Sequence, residues 1–236
     1  GLPGCDEVGH AIPENLIRKD GFNMKKWILP IGIIVAALII SALSYGRVPD
    51  QVPIHWNAYG EVDRYASKLI GLFLMPAIMA GVLLLMKIAP IIDPKRSSLK
   101  KNIKDIDTIN VLTLLVLLVV HCATILSSMG AQINMAVLAP IIAGTLFVFV
   151  GNLVPRFKHN YSFGLRTPWT LANEQVWRRS NSLFGKLMFF GGLVMILSAF
   201  LPRTWMLIIF FTVLAIMVVS PFVISYLFYK KYGSNN

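Results

Sequence analysis

The sequence predicts an all-α polytopic membrane protein with six transmembrane helices and both termini cytoplasmic. Three observations carry this expectation. Of 236 residues, 56% are hydrophobic and only 14% charged, where a soluble domain carries about a quarter charged; mean hydropathy is +0.68. The apolar residues come in runs long enough to cross a bilayer. Lysine and arginine fall mostly on one side of the implied map, as cytoplasmic loops require.

The elements follow in order. The first span runs from about Trp27 to Tyr45. The second runs from about Leu69 to Ile91, with Lys87 near an end, where a lysine can snorkel. No Asp, Glu, Lys or Arg occurs between Asp107 and Arg156. That run is too long for one span, and Gly130-Ala131-Gln132-Ile133-Asn134 offers a tight turn. It reads as a helical hairpin, Thr108–Met129 and Met135–Val154. A fifth span covers about Leu183–Leu201 and a sixth about Thr204–Tyr229, with Pro202-Arg203 between them. Pro30, Pro76, Pro140 and Pro221 inside spans imply local kinks.

With the N-terminus inside, 16 of the 22 Lys and Arg lie in cytoplasmic segments and four in outer loops. The Gly46–Lys68 loop is then extracytoplasmic and the Gly151–Ser182 loop cytoplasmic. A rival reading makes the first span a signal peptide, because Ser41-Ala42-Leu43-Ser44 resembles a small-residue cleavage site. The apolar run is long for that role, and a retained span is favoured. Residues 1–23 are polar, hold four of the eleven acids and precede Met24-Lys25-Lys26. They read as an appended or non-native segment. The expected division is 1–23, then a two-helix membrane domain with its outer loop over 24–105, then a four-helix membrane domain over 106–236.

Basic charge of +11 on such a chain reflects topology, not direct nucleic-acid binding. Cys5 and Cys122 lie in unrelated settings and suggest no disulfide. No phosphate-cradling Gly-rich loop, His-Glu-x-x-His, paired Cys at metal spacing or Gly-x-Ser-x-Gly is present. No cofactor or metal is therefore expected, and no catalytic residue is assigned.

Three regions hold residues that apolar packing does not require. In the outer loop, Asn57 to Gly60 suits a turn. His55, Trp56, Tyr59 and Tyr65 suit a membrane interface or a recognition surface. A metal site from His55, Glu61 and Asp63 lacks a second histidine. The basic stretch Asp93–Asp107 reads as a topogenic, lipid-facing loop, with Asp105 and Asp107 opposing the dipole of the third helix. In the Gly151–Asn181 segment, Asn160, Gly164, Arg166, Thr167, Pro168 and Trp169 form a turn-rich stretch of the kind that carries function. Glu174 is the only acid after Asp107, among nine Lys and Arg. Arg178 has the spacing to pair with it, and Arg166 is a second candidate partner or a phosphate grip. Thr170 is the expected N-cap of a short amphipathic helix lying on the inner leaflet, with Leu171, Val176, Trp177 and Phe184 as its apolar stripe. His121 stands mid-span, a functional candidate by position; a neighbouring Ser, Thr or carbonyl would also satisfy it.

Two patterns carry a resemblance. Pro53-x-His55-Trp56-Asn57-x-x-Gly60-x-x-Asp63, followed by Lys68-Leu69 and Pro76, is similar to a small membrane domain that often precedes the SdpI-type domain. Gly151-Asn152-x-x-Pro155, then Asn160-x-x-x-Gly164-x-Arg166-x-Pro168-Trp169-Thr170, then Glu174-x-x-Trp177, resembles the signature of the SdpI-type immunity and signal-transduction proteins of bacteria. The resemblance implies a multi-pass protein of the bacterial inner membrane that confers resistance to a secreted antimicrobial peptide toxin, and in some members holds a cytoplasmic repressor at the membrane. Its partners would be membrane lipid, the toxin and the repressor. Its action would be binding, not enzymatic chemistry, with His55, Trp56, Asn57, Tyr59, Gly60 and Asp63 engaging the toxin. The rival readings are a small solute or peptide transporter with His121 in its pathway, and a membrane-embedded enzyme using His55, Asp63 or Glu174 as acid or base.

Overall fold

A computed structural model of the protein describes residues 25–233; the expectation for residues 1–23 lies outside them. The chain runs α1 (Lys25–Ser44), β1 (Gln51–Trp56), β2 (Val62–Ser67), α2 (Lys68–Ile92), α3 (Arg96–Lys100), α4 (Ile103–Ser128), α5 (Met135–Leu153), a 3₁₀ turn (Val154–Arg156), α6 (Pro168–Ala172), α7 (Glu174–Ser198) and α8 (Arg203–Tyr232). Six of these helices are long and apolar enough to cross a membrane. Backbone polar groups in lipid must bond within their own segment, which is why such runs become helices.

The helices pack as two groups of three. α1, α2 and α4 contact one another, as do α5, α7 and α8 in the order α5–α7–α8, and α4 meets α5 at the seam. In the first group the core is layered along the bundle. Val48, Val52, Leu72 and Ile125 fill the hairpin end, and Ile33, Ala37, Met79 and Leu114 the middle. At the opposite end, Leu99, Ile106 and Ile109 join Leu153, Phe157 and Trp177 across the seam. The second group closes on glycine. A Cβ on Gly144 would stand 2.5 Å from the Gly192 carbonyl, and one on Gly151 would stand 2.7 Å from that of Gly185. Small residues seven apart on each helix thus let the two backbones touch, the usual basis of tight packing in lipid.

Three expectations change. The loop between the first two spans is a twisted antiparallel hairpin rather than an interfacial turn alone. It pairs Val52 with Ala66 and Trp56 with Val62, with irregular register at His55. Asn57 organises its tip. Its side-chain oxygen accepts from the amides of Tyr59 (2.9 Å) and Glu61 (3.0 Å), and Gly60 supplies the left-handed φ of 79°.

Secondly, the fifth helix is one continuous element from Glu174, with no separate surface helix ahead of a span at Leu183. The cap is Asn173, whose side chain accepts from Gln175 and Val176 (2.8 and 3.0 Å). Thr170 instead closes a capping box with Thr167 on the one-turn α6, where Leu171 also lies. The physical reason is a single inward face: Val176, Trp177, Ser180, Asn181 and Gly185 are all buried.

Thirdly, the basic Asp93–Asp107 stretch is not simply lipid-facing. Asp93, Leu99 and Asn102 are buried, and α4 starts at Ile103, before both acids. Asp105 meets Arg156 at 3.5 Å. Asp107 meets Lys87 at 2.7 Å and Lys26 at 3.7 Å.

Candidate functional site

The hairpin is seated on both helix groups. Val52 is fully buried against α2 at Gly71, where a Cβ would come within 2.5 Å of the valine side chain. Gly60 sits on α5, where a Cβ would meet the Ala136 amide nitrogen at 2.9 Å. Apart from Ile54, the exposed strand residues are polar or aromatic. His55 Nδ1 and Asp63 Oδ1 lie 2.6 Å apart, and Asn57 Nδ2 donates to Glu61 at 3.0 Å. Arg203, at the start of α8, lies over the Tyr59 ring at 5.9 Å.

Beneath the hairpin, at the seam, lies a cavity of about 600 Å³. Its roof includes His55, Trp56 and Asn57, and its walls are Val120 of α4, Met135 to Ala143 of α5, and Met206, Phe210 and Phe211 of α8. The lining is dominantly apolar, with a few polar groups at the mouth, the usual form of a site for an amphipathic ligand. Of the six outer-loop candidates, the structure brings His55, Trp56 and Asn57 to this cavity. Tyr59, Gly60 and Asp63 stand outside its lining.

His121 is fully buried and does not line the cavity. Its Nε2 lies 3.0 Å from Ser41 Oγ, which is 2.7 Å from the Leu72 carbonyl. The Ala37 carbonyl also lies 3.0 Å from that hydroxyl; with the one serine proton on either carbonyl, the imidazole Nε2–H is the donor to the hydroxyl. His121 therefore joins α1, α2 and α4 from within. Asn110, eleven residues earlier on α4, is 1% exposed with neither side-chain polar atom hydrogen-bonded among the described residues.

At the far end, the 154–181 segment is an ordered fold-back built on two buried asparagines. Asn160 Oδ1 accepts from the amides of Ser162 (2.8 Å) and Phe163 (2.6 Å), and its Nδ2 donates to the Lys158 carbonyl at 2.7 Å. Asn181 Oδ1 accepts from the Leu165 amide at 2.7 Å. Gly164 turns there with φ of 96°, and a Cβ would lie 2.6 Å from that same oxygen. Trp177, fully buried, donates Nε1–H to the Phe157 carbonyl at 2.9 Å. Gly151 and the Pro155 ring both pack on Gly185, Asn152 is exposed, and Trp169 meets Tyr226 of α8 edge-on at 5.4 Å. Thr167 caps Pro168.

Two electrostatic expectations are corrected. Among the described residues, Glu174 forms no ion pair with Arg166 or Arg178 within 4 Å. It is exposed at the first turn of α7, where water and the helix dipole already suit it. Arg166 donates to the Tyr161 carbonyl at 2.7 Å instead. A buried hydrogen-bonded cluster lies elsewhere. Asp93 accepts from the Tyr161 amide (2.9 Å) and Ser162 Oγ (2.6 Å). Lys95 Nζ donates to His159 Nδ1 at 2.8 Å, and the His159 ring leans on Tyr161 and Trp177. Burial, and next the Lys95 charge, hold the His159 pKa below the usual imidazole value, with Glu174 and the Leu171 carbonyl pulling the other way. Sequence reading missed Asp93, His159 and Asn181. The signal available was polar residues flanking a turn, with no indication of which stretch they would face. Among the described residues, no group of three His, Cys, Asp or Glu side chains gathers at a metal-binding geometry.

Comparison with known proteins reaches both ends of this arrangement. Residues 156–225 match the SdpI/YfhL protein family. Residues 32–80, spanning the hairpin, match a domain of unknown function, DUF1648. The chain is 27% identical over 208 residues to the immunity protein SdpI of Bacillus subtilis (strain 168), covering 88% of this chain and 98% of that protein. It is 35% identical over 48 residues to the uncharacterized membrane protein YbgB of the same organism, covering 20% of this chain and 53% of that protein. No solved structure matches. With this likeness and its six apolar helices, the chain is a multi-pass protein of the bacterial inner membrane.

Proposed function

We propose that this protein is an immunity protein that binds a secreted, membrane-active peptide in the cavity beneath the hairpin. The observation that carries the reading is the cavity itself. It combines apolar walls from α4, α5 and α8 with a roof from the β1 strand. An amphipathic peptide entering the outer leaflet would bury apolar side chains against Phe210, Phe211 and Ala139 and leave polar groups at His55 and Asn57. The likeness to the immunity protein SdpI extends along nearly the whole of that relative. The lysine and arginine distribution supports an outer-face position for the hairpin, the side from which a secreted peptide arrives. Binding accounts for these features without a chemical step.

The finer claim of signalling belongs to the other end. The fold-back keeps Lys158, Arg166 and Arg178 exposed on a rigid frame, and such a frame would hold a cytoplasmic repressor.

The test is protection of a toxin-sensitive cell. Ala139→Trp, which fills the cavity, and Trp56→Ala, which opens its roof, should each abolish most protection at unchanged protein level in the membrane. Full protection by Ala139→Trp at normal level would place the binding surface elsewhere.

A further inference from the structure

A second cleft lies at the opposite end of the molecule, between α7 and the last turns of α8. It encloses about 870 Å³ and is lined by Arg178, Arg179 and Lys186, with Glu174 as the one acid and Leu183 and Phe228 among its apolar residues. Three cations thus face one carboxylate. Among the described residues, the side chains of Arg178 and Lys186 have no hydrogen-bond or ion-pair partner. Arg179 is held by the Tyr232 ring, 4.2 Å from its guanidinium.

The spacing makes this more than a basic helix end. Arg178, Ser182 and Lys186 follow at intervals of four, so they form one stripe on α7. Lys186 stands two turns, about 12 Å, further along than Arg178. Both side chains lean toward the helix N-terminus, and the long flexible stem of the lysine lets its ammonium reach back toward the arginine. The same cleft sets the apolar side chains of Leu183 and Phe228 beside these charges. A ligand matching that mixed lining has an anionic head and an apolar tail.

We propose that this cleft binds the phosphodiester headgroup of an anionic glycerophospholipid, with an acyl chain lying along Leu183 and Phe228. Guanidinium groups grip phosphate oxygens by paired hydrogen bonds, and a snorkelling lysine adds charge at the same level. Basic pockets between membrane helices are where such headgroups are held. The proposal is independent of the reading of the hairpin cavity, which lies at the other end of the bundle.

The experiment is native mass spectrometry of the full chain in detergent, titrated with phosphatidylglycerol or phosphatidylcholine. Discrete phosphatidylglycerol adducts are expected, with phosphatidylcholine binding at least tenfold more weakly. The double variant Arg178→Gln/Lys186→Gln should weaken the adducts on the order of tenfold. Lys230→Gln/Lys231→Gln, which removes the same charge outside the cleft, should not. The charge-keeping Arg178→Lys, which loses the paired hydrogen bonds but not the charge, should bind between the parent and the double variant, and parent-like melting of both variants separates lost recognition from lost folding. Glycerol phosphate at millimolar concentration tests the source of the anion, and persistence of the lipid adducts is the expected result. Complete displacement would assign the cleft to a soluble phosphate and overturn the lipid. An equal loss in the Lys230/Lys231 variant, or equal binding of the two lipids, would also overturn it.

Discussion

Replacing Asn160 tests whether the 154–181 segment is a rigid element. The side chain is completely buried and makes three short contacts: two amides accepted and one carbonyl served. Asn160→Ala leaves all three backbone groups without their partner. A buried polar group left unpaired costs about 1–3 kcal/mol. Ser162 and Phe163 are only half-buried, so water recovers part of this, and a total of about 2–3 kcal/mol is expected. At about 1.4 kcal/mol per tenfold, amide exchange through local opening should accelerate roughly 30- to 150-fold across Lys158–Leu165. Asn160→Asp separates the contributions. It keeps the oxygen that accepts two amides and loses the donor, setting a carboxylate oxygen against the Lys158 carbonyl. Its acceleration should fall between those of the parent and the alanine variant. Hydrogen exchange read by mass spectrometry in detergent is the assay, with α1 peptides as the internal reference. Parent-like exchange in Asn160→Ala would refute the reasoning and reduce the segment to a solvated loop.

Further outcomes are expected. His159 has a folded-state pKa below its unfolded value, so its contribution to stability is full above the unfolded pKa of about 6.5 and declines as pH falls below it. Thermal melts in detergent between pH 8 and pH 5 should show this decline, and His159→Phe should flatten it. Gly151→Val, whose Cβ would meet α7 backbone at 2.6 Å, should destabilise by about 1–3 kcal/mol or more, whereas Gly32→Ala, with nothing within 4 Å, should melt like the parent. For topology, a cysteine at Ala58 should label from outside intact cells and one at Ser162 only after permeabilisation; outside labelling of Ser162 would reverse the map.

The spans were legible because lipid leaves the backbone one solution, and the charge-free stretch from Thr108 to Pro155 announces it. The hairpin was half legible. Asn57 and Gly60 marked its turn, but Pro53, His55, Asp63 and Arg64 interrupt any alternation. Its strands are held instead by tertiary seats at Gly71 and Ala136, which no local pattern encodes. The break expected before Leu183 failed for a similar reason. Arg178 to Ser182 looks like a polar surface, yet Ser180 and Asn181 are buried and Asn181 holds the fold-back. The lone acid Glu174 misled because charge scarcity in sequence says nothing of exposure. The cavity was not legible at all, since its walls come from three helices and a strand far apart in the chain.

The hairpin's two seats have a mechanical consequence. One is on α2 and the other on α5, so the strap bridges the seam between the helix groups. At the other end Asp93, just after α2, grips Tyr161 and Ser162 beyond α5. The molecule is two blocks stapled at both ends. Between the staples the seam is also crossed by the core that joins Leu99, Ile106 and Ile109 to Leu153, Phe157 and Trp177, and by the Asp105–Arg156 contact. A body wedged under the strap presses on both blocks at once, and the resulting load is carried by Gly60, by Asp93 and by that shared core.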